Sequence, residues 1–296
     1  MKIYILGITG LLGSELFLNF INNTSFKVRG TVRLKSVKKL NYLKNSDVNQ
    51  IDFNVSARDL KKIKKNILKF KPDVVINCIG YVKQKIRNTS NNSNIFYVNS
   101  VFPKKLYEIT NKLNIRLIHF SSDCVFNGSK GNYSESITPD AKDLYGYSKY
   151  LGELSEKNAV TIRTSIIGHE INTKFGLLEW FLSQKKQCLG FKNCYFSGLT
   201  SFEVFKFLKN YLINNKMKIS GLFHLSSKSI SKYDLLKIIA IIYKKKIIIK
   251  KDYNLKLNRV LISRFIQKKL SYRPPSWVQM IKDMRISRLN KFKDNH

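Results

Sequence analysis

Gly7-Ile8-Thr9-Gly10-Leu11-Leu12-Gly13 is the stretch whose reading decides the fold. It follows a β-rich run, Lys2-Ile3-Tyr4-Ile5-Leu6, and opens a segment with helical spacing at Leu12, Leu16 and Phe20. Glycines at a strand-to-helix junction let the backbone approach a pyrophosphate, which then rests on the helix N-terminus. The spacing Gly-x-x-Gly-x-x-Gly is one residue longer than Gly-x-Gly-x-x-Gly. A tight glycine turn by itself needs no ligand. The strand-turn-helix setting is what makes dinucleotide binding the better reading. Gly7, Thr9, Gly10, Leu11, Leu12 and Gly13 are therefore the expected phosphate cradle.

Downstream the first half keeps alternating between strand and helix signals. Residues 26–32 read as a strand, 48–51 as a short strand and 56–70 as a helix. Asp73-Val74-Val75-Ile76-Asn77-Cys78 is a near-continuous apolar run, as expected of a parallel strand covered on both faces. Residues 95–113 read as a helix, 115–120 as a strand, 144–157 as a helix and 160–164 as a strand. The rhythm predicts an α/β, Rossmann-type doubly wound parallel sheet. Later segments are less regular: helices over 175–183, 202–212, 232–243 and 277–284, with β-like runs at 222–225 and 247–249. The expected division is a dinucleotide-binding domain at residues 1–168 and a smaller C-terminal α/β substrate region at 169–296, with residues 199–230 returning to pack on the sheet.

Chemistry enters with Tyr145-Gly146-Tyr147-Ser148-Lys149. Residues at i and i+4 share a helix face, so Lys149 sits one turn from Tyr145. A nearby cation favours the phenolate, and a phenol tuned that way can exchange a proton with a carbonyl or alcohol oxygen. Tyr147 is too close to Lys149 to share that face. The pentapeptide alone is prone to chance in a chain rich in both residues. Its order after the glycine turn and after Ser122, a hydroxyl at a strand end, is the stronger signal. The second strand ends Gly30-Thr31-Val32-Arg33, with Lys35 behind it and no carboxylate. Arginine there suits a ribose 2′-phosphate, so NADP(H) is favoured over NAD(H). Asp52 follows the third strand, where a carboxylate can accept from an adenine amino group. Gly80, in Asn77-Cys78-Ile79-Gly80, permits close packing against a ribose.

These residues together resemble the extended short-chain dehydrogenase/reductases, in particular the dTDP-4-dehydrorhamnose reductase type. The likeness continues through Tyr97-Val98-Asn99-Ser100, His119 to Phe126, Tyr133-Ser134-Glu135, Gly152-Glu153, Ile162 to Gly168, Ser197 to Thr200, and a tail from Arg259 to Met284 containing Pro274-Pro275-Ser276-Trp277. The resemblance implies Ser122, Tyr145 and Lys149 as the catalytic set. It also places Cys78, Ile79, Gly80 and Asn99 at the cofactor, and Tyr81, Asp123, Cys124, Val125 and Phe126 at the substrate. That substrate is a sugar on a nucleoside diphosphate, reduced in surface polysaccharide biosynthesis. Related dehydratases carry Asp-Glu after the strand-end hydroxyl; Asp123-Cys124 here argues against that activity. Epimerase-reductases use a cysteine two residues after the serine. Cys124 has this spacing, but the partner histidine has no good match, His169 lying too near Tyr145 in the chain. A non-catalytic NADP-binding subunit is the remaining alternative, against which the intact Ser122, Tyr145 and Lys149 argue.

Composition sets the outer limits. The 296 residues carry 54 Lys and Arg against 19 Asp and Glu, a formal charge of +35. Such a field draws anions. The lysines are dispersed, however, and no basic-aromatic module accompanies them, so composition drift explains the charge better than nucleic-acid binding. The four cysteines show neither Cys-x-x-Cys nor metal spacing, so reduced thiols without zinc are expected. No stretch reads as a signal peptide or a membrane span. A cytoplasmic protein without a nucleic-acid partner is the expectation, and a homodimer is an assembly open to it.

Overall fold

Short runs of β-branched and aromatic residues, each closed by a turn, supply seven strands that join in one sheet. The computed structural model describes residues 1–34, 40, 45–83, 92–171, 173–213 and 219–292. In chain order the first elements are β1 (Lys2–Leu6), α1 (Leu11–Ile21), β2 (Lys27–Thr31), β3 (Ile51–Asp52), α2 (Leu60–Phe70) and β4 (Val74–Asn77). There follow α3 (Asn92–Phe96), α4 (Phe102–Lys112), β5 (Arg116–Phe120), α5 (Leu144–Leu151) and β6 (Ala159–Arg163). Next come β7 (Ile166–Ile167), α6 (Leu177–Ser183), β8 (Gln187–Phe191), β9 (Cys194–Phe196), β10 (Leu199–Thr200), α7 (Ser201–Phe207) and β11 (Gly221–His224). The last are β12 (Ile230–Ser231), α8 (Lys232–Ile242), β13 (Ile248–Asp252), β14 (Leu257–Asn258), α9 (Arg264–Leu270) and α10 (Trp277–Phe292).

The large sheet runs β3-β2-β1-β4-β5-β6-β11. Its pairings are parallel, with Ile5 beside both Gly30 and Ile76, Asn77 beside His119, and Phe120 beside Ile162. Strand order reverses between β1 and β4, where open α/β sheets bind ligands beyond the strands' carboxyl ends. Tyr4, Leu6, Val75, Leu117 and Ala159 face Ile63 and Ile67 of α2 and Phe102 and Leu106 of α4. The intervening Ile3, Ile5, Ile76 and Ile118 are fully buried too, so the sheet is covered on both faces. On α1, Leu16, Phe17 and Phe20 are buried. Gly30 leaves room for Ile8 and Phe17, which a side chain there would strike.

Contacts divide the chain into two compact units. The first holds Met1–Ser121, Lys142–Ile162 and Met217–Leu222, and the second Ser122–Ala141, Arg163–Lys216 and Phe223–His296. The division is not a single cut near 168. Residues 122–141 count with the second unit because Gly128 and Tyr133 form backbone hydrogen bonds with Asn258, Val260 and Ile262. The second unit also contains a parallel pair, β8 with β13, and the small sheet β12-β9-β14. Its strands β8 and β9 and the helix α9 were not legible in the sequence.

Several element bounds differ from the sequence reading for local reasons. Residues 45–50 form a 3₁₀ turn rather than the start of a strand, in keeping with Asn-Ser-Asp as turn formers. The second helix begins at Leu60 and not Ser56, because the Ser56 amide and hydroxyl both bond to the Asp59 carboxylate, at 2.8 and 2.6 Å. The helix from 144 stops at Leu151, capped by Gly152. No helix among the described residues is long and apolar enough to cross a membrane.

Candidate active site

At the first turn, Gly7 has φ +86°, a conformation that favours glycine. A side chain on Gly13 would collide with the Gly7 carbonyl, so helix and turn pack as closely as backbone allows. The Gly7 N–H donates to Thr31 Oγ1 at 3.1 Å, which pins the turn to β2. Gly10 caps α1 without a side-chain hydrogen bond, and no acidic residue occupies the first turn. The amide donors and positive dipole end of α1 thus meet no side-chain carboxylate there. A Cβ on Gly10 would touch nothing closer than the Gly7 oxygen, at 3.6 Å. This donor set fits a pyrophosphate. Thr9 and Leu11 are half-buried beside it, and Leu12 points into the core.

The end of β4 is a polar knot inside the sheet. Asn77 accepts from the Ile79 N–H at 3.0 Å and donates through Nδ2 to His119 Nδ1 at 3.1 Å. Burial holds the His119 imidazole well below its usual pKa, with Lys149 acting in the same direction, so the ring is neutral. Burial pushes the Cys78 thiol up, so it keeps its proton. Asn99 accepts from the Tyr81 N–H at 2.9 Å and donates to Ser148 Oγ at 3.1 Å. The Ser148 hydroxyl donates in turn to the Tyr145 carbonyl at 3.0 Å, and Ser100 Oγ donates to the Ser148 carbonyl at 2.9 Å. A Cβ on Gly80 would lie 3.5 Å from Asn99 Oδ1 and 4.0 Å from Lys149 Nζ, so Gly80, Asn99 and Lys149 are neighbours. The tyrosine hydroxyl of Tyr81 accepts from Asn94 at 2.7 Å.

Helix α5 starts at Asp143, whose carboxylate accepts from the Gly146 N–H at 3.0 Å. Lys149 is buried and donates from Nζ to the Phe120 carbonyl at 2.6 Å. Burial lowers its pKa to about 8, against the pull of the Glu153 carboxylate. Tyr145 is half-buried on the same helix, whereas Tyr147 is 48% exposed. Ser122 follows Phe120 by two residues in the chain.

In the second unit Ser122 caps a short 3₁₀ turn, Asp123–Val125, accepting from the Cys124 N–H at 3.1 Å and donating to Asp123 Oδ1 at 3.1 Å. Burial raises the Asp123 carboxyl's pKa, with Arg259 opposing. Arg259 donates to the Phe126 carbonyl at 2.9 Å and to Cys124 Sγ at 3.5 Å.

Other sequence-chosen residues have structural duties. Val125 and Phe126 are fully buried, and the Phe126 ring stacks on Tyr133 with centroids 4.1 Å apart. Their side chains are core, so a substrate could meet only their backbone. Asp52 lies in β3 rather than after it, and its two oxygens accept from Tyr4 Oη and Arg29 Nη2, each at 2.7 Å. That carboxylate pins β1 and β2 together. Arg33 is exposed just after β2, and Lys35 lies outside the described residues. His169 bonds Glu179 at 2.6 Å and Tyr243 at 2.9 Å, a packing role. All four cysteines are free, and the described residues contain no cluster suited to a metal. Thr31, His119, Ser148 and Glu153 received no role from sequence reasoning. Each acts through a partner distant in the chain, and Ser148, although it sits inside the tyrosine-lysine motif, meets Asn99 and Ser100.

Comparison with known proteins adds lineage to this geometry. The methionine adenosyltransferase 2 subunit beta of Xenopus tropicalis is 30% identical over 149 residues, which are 50% of this chain and 40% of that protein. The chain therefore matches less than half the length of this curated relative. Among solved structures, the dTDP-4-dehydrorhamnose reductase of Bacillus anthracis in complex with NADP superposes with a TM-score of 0.78 at 17% identity, covering 96% of this chain and 98% of that one. A hypothetical dTDP-4-dehydrorhamnose reductase from Sulfolobus tokodaii gives 0.74 at 22% identity, covering 94% and 98%. These two establish the fold. The RmlD substrate binding domain family matches residues 1–287, and the chain belongs to that family.

Proposed function

We propose that this protein uses a nicotinamide cofactor, NADP(H) before NAD(H), to reduce a keto group on a nucleotide-activated deoxysugar of the dTDP-4-dehydrorhamnose kind. The observation that carries the reading is the buried Lys149 ammonium, fixed on the Phe120 carbonyl and one helical turn from Tyr145. Proteins that share the fold include a dTDP-4-dehydrorhamnose reductase in complex with NADP, which supports both cofactor and substrate class.

The cofactor would lie on the Gly7–Gly13 turn, with Cys78, Ile79, Gly80, Asn99 and Lys149 along its length. Arg33, with no carboxylate in Gly30-Thr31-Val32-Arg33, favours the 2′-phosphate. When bound, the nicotinamide supplies the hydride. Tyr145 gives the proton to the carbonyl oxygen. Lys149 favours the phenolate through its charge. Ser122 hydrogen-bonds and positions the oxygen, and Tyr81, Asp123 and Cys124 meet the sugar. Positioning and fixed charge provide most of the rate gain. The setting is cytoplasmic surface polysaccharide biosynthesis.

The test is steady NADPH oxidation with dTDP-4-dehydrorhamnose and related keto-sugar nucleotides, for wild type and Tyr145→Phe. The wild type should turn over. Tyr145→Phe should lose nearly all turnover while keeping NADPH affinity by fluorescence titration. Wild-type turnover in that variant would overturn the mechanism. NADPH binding without turnover on any substrate would point to a non-catalytic subunit.

A further inference from the structure

Glu153 lies four residues after Lys149, and Gly152 between them closes α5. The Gly152 and Glu153 amides donate back to the Lys149 and Tyr150 carbonyls, at 3.2 and 3.1 Å. Both side chains therefore leave the same end of the helix, and both reach the same strand end. Lys149 Nζ donates to the Phe120 carbonyl, and Glu153 Oε1 accepts from Ser121 Oγ, each at 2.6 Å. Two adjacent residues at the end of β5 are thus held by side chains four apart, and the next residue in the chain is Ser122.

The charges around Lys149 give this clamp a second effect. Burial leaves the Cys78 thiol and the His119 imidazole neutral. Glu153 is then the carboxylate that acts on the ammonium, favouring its charged form. A buried ammonium without such a partner gives up its proton, and a neutral amine cannot favour a phenolate.

We propose that Glu153 is a positioning residue for proton transfer at Tyr145: its carboxylate anchors Ser121 at the end of β5 and supplies the counter-charge that keeps Lys149 an ammonium. The inference rests on reading Tyr145 and Lys149 as the proton-transfer pair. It concerns a residue that touches neither the reacting oxygen nor the hydride.

The experiment uses the full chain with lysines isotopically labelled at Cε and Nζ. The Lys149 resonance is the one missing from Lys149→Arg. Its titration midpoint is followed by NMR, without cofactor, in wild type, Glu153→Gln and Glu153→Asp. Glutamine can still accept from Ser121, so that variant removes the charge and keeps the anchor. Its midpoint should fall by about one pH unit, since an opposite charge at close range shifts a titration by that order. Aspartate should restore most of the loss. In NADPH oxidation, Glu153→Gln should show its pH-activity profile displaced to lower pH in parallel. An unmoved midpoint in Glu153→Gln overturns the proposal, as does an equal fall in Glu153→Asp. A falling midpoint in a protein that never oxidises NADPH keeps the electrostatic pairing and overturns the reductase reading instead.

Discussion

Lys149 shows how much a single buried charge does here. Its Nζ has one backbone carbonyl at 2.6 Å, and burial lowers its pKa to about 8, against an ordinary 10.5. A base whose folded pKa is depressed makes the protein more stable as pH rises from the folded value to the unfolded one. Between pH 8 and 10.5 the wild type should therefore gain roughly 3 kcal/mol of stability that Lys149→Met does not gain. Urea unfolding of both proteins across that window checks it, and parallel curves would show that the ammonium is not buried. The choice between the two tyrosines of the motif is a residue-scale matter as well. Tyr147 is 48% exposed, so Tyr147→Phe should leave NADPH turnover unchanged where Tyr145→Phe abolishes it. That Tyr145, and not Tyr147, shares a helix face with Lys149 was legible from helix periodicity alone. The duties of Val125, Phe126 and Asp52 were not. An apolar side chain after a strand end can face a ligand or a core, and a carboxylate can face adenine or a tyrosine. Only the neighbours decide, and here they are Tyr133, Tyr4 and Arg29.

Helix α5 and its surroundings carry the proposed site at the level of elements. The chain enters the helix through the Asp143 cap and leaves it at Gly152, whose missing side chain lets it approach the Asn99 carbonyl. A methyl group there would collide with backbone, which cannot swing aside as a side chain can. Gly152→Ala should cost at least about 1–3 kcal/mol, the usual penalty of overpacking, and loosen the Asn99–Ser148 bond with it. Chemical denaturation measures the first, and hydrogen exchange in α5 the second. In the sequence Gly152 reads only as part of a family motif, because a glycine's reason is written in the atom it avoids. Strands β1, β2, β4, β5 and β6 were read within a residue or two, since buried parallel strands announce themselves as apolar runs. Strands β8 and β9 were missed: Gln187-Cys188-Leu189-Gly190-Phe191 is short and half-exposed, and its pairing partner β13 lies some sixty residues on.

For the whole molecule, the field of +35 and a set of buried polar groups dominate behaviour in solution. Dispersed charge without a recognition module binds nucleic acid by counterion release alone. Binding to a short DNA duplex should therefore vanish between low and physiological salt, by fluorescence anisotropy, and tight binding that survived would revive a nucleic-acid role. Acid stability falls with the buried histidines, His119 and His224, the latter held down to about 3 by burial and the Arg163 guanidinium. Arg163 can only donate, so His224 Nε2 accepts at 3.2 Å and Nδ1 donates to the Tyr133 carbonyl at 3.1 Å. A histidine kept neutral by folding loses stability as pH falls from the unfolded value, 6.5, towards the folded one. His224→Gln should unfold less steeply over that range than wild type, whatever it loses at neutral pH.

What the sequence determined by itself was the alternation of strands and helices in the first half, the glycine turn at the first junction, and the four-residue spacing of Tyr145 and Lys149. Each of these is a local regularity: an apolar run, a period of 3.6, or a residue type tied to a backbone conformation. The tertiary structure decided which polar groups meet inside the fold: Asn77 with His119, Ser121 with Glu153, Lys149 with Phe120. Those meetings depend on which strands lie side by side and on what burial does to a charge. No pattern along the chain encodes either, because both are set by residues 29 to 42 positions away.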